Sequence, residues 1–169
     1  MRKICCLLIA LLISIPSGVG AVTVKEFCSA YNERMGKGFE ANTSLYDPSA
    51  NNIWFLISQY AGSFVAVQFD PESASDPAEC EIKTIFVRHK PRTSMGQFVA
   101  CANTAMSIIY PDIDSATIAE TISSAMARSW YLFGEEPRDA IAYNTELFGQ
   151  LVYQESIEYD TLLVNAPEE

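Results

Sequence analysis

The sequence predicts an α+β domain: an antiparallel sheet of about five strands with helices packed on one face. Three observations lead there. Helical periodicity opens the chain at 24–35 and returns at 94–126. Runs rich in aromatic and β-branched residues occupy 53–89 and 147–164. Within each run the connections are too short for parallel crossovers. The expected order is α-βββ-αα-ββ, and such a sheet buries every apolar stripe with short, unknotted connections.

The first 21 residues read as a cleaved signal peptide. Arg2 and Lys3 precede an apolar run from Ile4 to Ile15 that is broken only by Ser14. Pro16 and Ser17 then interrupt the helix, and Gly18, Gly20 and Ala21 offer a small-residue cut site. A transmembrane span needs about 20 apolar residues, more than this run supplies, so no span is expected after cleavage. Residues 22–169 contain no linker and no repeat, and they read as one domain.

At 24–35, Val24, Phe27, Cys28, Tyr31 and Met35 share one helical arc, and Gly36 and Gly38 end the helix. Ile53–Ile57 and Phe64–Phe69 are strand-like, with turn chemistry at Ala61, Gly62 and Ser63 between them. A proline-bearing loop leads to a third strand within Cys80–His89, which completes an antiparallel meander. Ser94 with Gln97 forms a capping box by type. Phe98, Cys101, Ala102, Ala105 and Ile109 share the arc of the helix that follows, and Pro111 stops it. Asp114 or Ser115 caps a third helix whose face is marked by Ile118, Ile122 and Met126, and which closes at Gly134 and Pro137. Leu147–Tyr153 and Ile157–Val164 read as a final hairpin.

Composition narrows the function. The chain has 21 acids against 11 Lys and Arg, a formal charge of −10. Loss of residues 1–21 removes Arg2 and Lys3 and no acid, which takes the charge to −12. Such a molecule repels phosphate backbones, so nucleic acid is excluded as a partner. A basic protein is the complementary choice.

Three cysteines remain after cleavage: Cys28, Cys80 and Cys101. In an oxidising compartment they allow one disulfide. Cys28–Cys101 is the first candidate, because both lie on inward helix arcs, and Cys80–Cys101 is the alternative. The competing expectation is inert buried thiols. Cys80, between Glu79 and Glu81, is poorly placed as a thiolate nucleophile.

His89 is the sole histidine, and it lies in a segment that carries Lys83, Arg88, Lys90 and Arg92 and no acid. One histidine and these cysteine spacings match no metal site, so neither metal nor cofactor is expected. No Gly-x-Ser-x-Gly elbow exists to host a serine nucleophile. The histidine reads as a surface residue at a strand end.

The basic segment has two readings. Its cations lie against the acidic C-terminal strands, where Glu155, Glu158 and Asp160 cluster. Alternatively Arg88, His89, Lys90 and Arg92 contact an anionic ligand. The strand aromatics Trp54, Phe55, Tyr60, Phe64, Phe69 and Phe86 read mostly as core, and any subset on the outer sheet face would form a binding platform. Trp130 reads as a staple at the end of the third helix.

The expectation that follows is an exported, periplasmic or secreted, acidic binding protein without catalytic activity. Its most concrete form is an inhibitor or immunity-type protein that masks a basic enzyme. The alternatives are a carboxylate-dependent hydrolase acting on cell-wall or polysaccharide substrate, which requires two facing carboxylates, and a structural component of the envelope.

Overall fold

The computed structural model describes residues 21–36, 54–60, 63–90, 95–133, 141–145, 147–154 and 159–167. Residues 1–20, where the signal peptide is expected, together with Gly38, Arg92, Ser94, Gly134, Pro137, Glu155 and Glu158, lie outside these residues.

Helix α1 spans Val24–Met35. Thr23 caps it reciprocally: its hydroxyl accepts from the Glu26 amide, and the Glu26 carboxylate accepts from the Thr23 amide at 3.0 Å. Gly36 ends the helix at φ 74°, where only glycine is unstrained, and its amide donates to the Asn32 carbonyl at 3.0 Å. The chain just before α1 is pinned to the loop ahead of the third strand. Ile82 N–H donates to Val22 O, and Val24 N–H donates to Cys80 O.

Strands β1 (Trp54–Tyr60), β2 (Ser63–Phe69) and β3 (Ile82–His89) form the expected antiparallel meander. Helices α2 (Met95–Ile109) and α3 (Ser115–Phe133) follow. The Asp114 carboxylate caps α3 by accepting from the amides of Ala116 and Thr117.

The C-terminal region contains β4 (Ile141–Thr145), β5 (Gly149–Gln154) and β6 (Asp160–Asn165). The expected hairpin is β5–β6, and β4 is an addition. Its five residues, with Asn144 and Thr145 at the end, give no clear alternation. What makes them a strand is the free edge of β5. The described residues thus hold six strands in the order β1-β2-β3-β6-β5-β4, antiparallel at every junction. Two meanders are joined along β3 and β6.

The helices cover one face. Helix α2 is the central one, packed against α1, α3, β2 and β3, while α3 lies against β5. Val65, Val67, Ile85, Val87, Leu151, Leu162 and Val164 point toward the helices and are buried. From the helix side come Phe27, Tyr31, Phe98, Ala105, Met106, Ile118 and Ile122, all fully buried. Every residue of the expected α2 arc lies in this core, as do Ile118 and Ile122 of the α3 stripe, with Met126 half-buried beside them. Tyr110 fastens the far end of α2: its hydroxyl donates to the carbonyl of Asn165 at 2.6 Å and lies 3.3 Å from that of Phe148. No helix among the described residues is long and apolar enough to cross a membrane.

Candidate functional site

The basic segment becomes the central strand β3, and strand geometry divides its residues between two environments, because successive side chains point to opposite faces. His89 falls in register with Ile85 and Val87 and faces the helices, 1% exposed. The expectation of a surface histidine is therefore corrected. Pairing with β2 and β6 on either side, and the cover of Phe98 from α2, bury the ring. Arg88 faces the opposite way, Lys90 is exposed just beyond the strand, and Arg92 is outside the described residues. Arg88 and His89 cannot serve one site.

On the helix side, a polar row crosses three strands. Ser63 pairs with His89 in the β2–β3 register, and His89 pairs with Asp160 in the β3–β6 register. Ser63 Oγ and His89 Nδ1 share a hydrogen bond of 2.8 Å. Asp160 is the only buried acid among the described residues, and burial pushes its carboxyl above the usual carboxylate range. A serine, a histidine and an aspartate on adjacent strands are the residue types of a nucleophilic triad. However, Ser63 and His89 are each 1% exposed, and an acyl substrate cannot reach a hydroxyl so enclosed. The row is a buried polar tie across the sheet, satisfied at Ser63 and His89 by their mutual bond.

The opposite face holds a different cluster. The Arg88 guanidinium carbon lies 4.6 Å from the ring centroid of Phe86, 5.4 Å from Tyr159 and 5.8 Å from Phe64. The backbone dictates this meeting. Phe86 precedes Arg88 by two on the same face, Phe64 is its direct cross-strand partner on β2, and Tyr159 lies two residues before Thr161, its partner on β6. Phe64 and Tyr159 meet edge to face with centroids 6.0 Å apart, closing the rings around the cation. Phe64, Phe86, Arg88, Val152 and Leu163 are half-buried here, in contrast to the fully buried helix face. Of the strand aromatics whose side chains are described, Phe64 and Phe86 lie on the outer face and Phe69 is core, while those of Trp54, Phe55 and Tyr60 lie outside the described set. Period-two alternation within Ile85-Phe86-Val87-Arg88-His89 carried the signal for both placements.

Of the basic segment, Lys83 is paired within the chain, but with acids before β3 and not with the C-terminal acids expected, of which Glu155 and Glu158 lie outside the described residues. Lys83 lies 3.5 Å from Asp70 and 3.9 Å from Glu81, and Lys25 bonds Glu79 at 2.7 Å. Arg88 makes no ion pair among the described residues.

Cys28, Cys80 and Cys101 are all buried free thiols, so neither the Cys28–Cys101 nor the Cys80–Cys101 disulfide is formed. The Cys80 thiol is turned toward the carbonyls of Ala74, at 3.3 Å, and Asp76, at 3.6 Å, of its own loop. Burial pushes the Cys28 thiol up to about 11. Burial also raises Cys101, against a smaller opposing pull from the neighbouring Tyr31 hydroxyl. No three His, Cys, Asp or Glu side chains converge as metal ligands would among the described residues. A cavity of about 260 Å³ lies between α3 and the β4–β5 end of the sheet, lined by Thr117, Glu120, Thr121, Ser124, Ala125, Thr145 and Leu151.

Compared with protein-family models, with curated proteins and with solved structures, the chain matches none significantly.

Proposed function

We propose that the chain is exported through its N-terminal signal peptide and acts as an acidic binding protein that captures a basic partner, most concretely as an inhibitor or immunity-type protein masking a basic enzyme. The observation that carries this reading is the charge: −10 over the whole chain and −12 once residues 1–21 are removed. A field of that sign speeds encounter with a basic protein and disfavours acidic ones. The exposed positions of Glu72, Asp76, Asp112, Asp114 and Glu120 support it, since acids at the surface project charge outward. Five acids lie in the segment 70–81; three of them are paired with Lys25 or Lys83, which leaves Glu72 and Asp76 outside those pairs.

The test is a calorimetric titration of the purified protein with basic cell-wall hydrolases such as lysozyme, at salt concentrations from about 20 to about 300 mM. Saturable binding that weakens steeply with salt, and weakens again in a Glu72→Lys/Asp76→Lys variant, supports capture by the acidic surface. Absent binding, or binding indifferent to salt, refutes it.

A further inference from the structure

We propose that Arg88, together with the rings of Phe64, Phe86 and Tyr159, forms a binding site for the carboxylate of a small monoanionic acid with an apolar or aromatic body. This goes beyond capture of a basic protein and does not depend on it.

The first ground is an unspent cation. In a molecule with 21 acids, Lys25 and Lys83 both find carboxylates, whereas among the described residues Arg88 meets aromatic faces and no carboxylate. Rings attract a guanidinium through their quadrupole but offer it no hydrogen-bond acceptor. Arg88 Nε is buried without a hydrogen-bond partner, a condition that is rare in folded proteins, while the residue as a whole is only half-buried.

The second ground is preorganisation. Three rings within 6 Å hold the guanidinium in place, so a ligand does not have to freeze a flexible side chain. The planar fork of terminal N–H groups matches a carboxylate in bidentate geometry. Charge sets the choice among anions: a net −10 opposes each ligand charge, so a monoanion is repelled less than dianionic phosphate. The half-buried rings, with Leu163 on the neighbouring strand, provide apolar contact for the body of the acid.

The test is an NMR titration of the isotope-labelled protein that follows the Arg88 Nε–H resonance and the backbone amides of β3. The probes are benzoate, its neutral counterpart benzamide, and inorganic phosphate. Benzoate is expected to shift these resonances saturably, with benzamide and phosphate each at least about tenfold weaker. Arg88→Lys should weaken benzoate about tenfold by removing the fork, and Arg88→Met should abolish binding. Unchanged amide dispersion away from the sheet face establishes that each variant is folded, and if Arg88→Met does not fold, Arg88→Lys decides. Equal binding of benzoate and benzamide, equal binding of phosphate, unchanged affinity in Arg88→Lys, or no saturable benzoate shift overturns the proposal.

Discussion

Replacing Ser63 by alanine tests whether the buried polar row ties the sheet together. The hydroxyl lies 2.8 Å from His89 Nδ1, and both residues are 1% exposed, so water cannot take its place. Deleting Oγ removes a hydrogen bond worth about 1 kcal/mol net and leaves the imidazole nitrogen without this partner; together these cost about 1–3 kcal/mol. For a domain of this length each kcal/mol moves Tm by about 2–4 °C, so a Tm loss of about 2–12 °C is expected. The assay is thermal unfolding by circular dichroism together with urea titration. A double-mutant cycle with His89→Phe isolates the pair from the other contacts of the histidine. Phenylalanine keeps a ring against Phe98, and the cycle should return a coupling of about 1–2 kcal/mol. If Ser63→Ala stays within about 0.3 kcal/mol of the parent, or the coupling is zero, the row holds nothing and the polar-tie interpretation fails.

Four further outcomes follow from the same structure. Ellman's reagent should react slowly with folded protein that lacks residues 1–21 and titrate three thiols once it is unfolded, because Cys28, Cys80 and Cys101 are buried and free; a count of one would mean an oxidised pair. Folded Cys28 titrates near 11, above its ordinary value of 9.0, so its neutral form stabilises the fold below pH 9. That contribution is lost as pH rises from about 9 to about 11, and a Cys28→Ala variant should show a flatter stability profile across that window. Tyr110→Phe removes the hydroxyl that joins α2 to the Asn165 carbonyl and should cost about 1–2 kcal/mol in urea unfolding. Asp160→Asn should stabilise the protein at neutral pH: burial raises this carboxyl, so the wild-type residue contributes most below its ordinary value of 3.8 and loses that contribution as pH rises through its folded value. The advantage of the variant should disappear in acid, and a variant less stable at pH 7 than at pH 4, relative to the parent, would contradict the direction of the shift.

The two faces of the sheet divide the chemistry of this protein. On the helix side, polar groups are enclosed and tied to one another, as Ser63 and His89 are. On the other side, a cation stands among half-buried rings with no acidic partner among the described residues. Recognition of a ligand requires accessible groups with unspent valence, which is why the second face, and not the triad-like row, carries the binding proposal.

Local physics alone settled much of this fold. The arc of Val24, Phe27, Cys28 and Tyr31 follows from 3.6-residue periodicity, and Gly36 terminates the helix because it alone tolerates φ 74°. The first meander follows from strand-forming runs joined by connections too short to cross over. The face of α2 follows from the spacing of Phe98, Cys101, Ala102, Ala105 and Ile109. These are relations among residues a few positions apart, and they are written in the chain. The docking of β6 beside β3, the recruitment of Ile141–Thr145 as an edge strand, and the placement of Tyr159 over Arg88 join segments that are distant in sequence. So does the burial of His89 under Phe98. Such contacts form because the whole domain gains by burying apolar surface and pairing strand edges, and that gain depends on which surfaces meet.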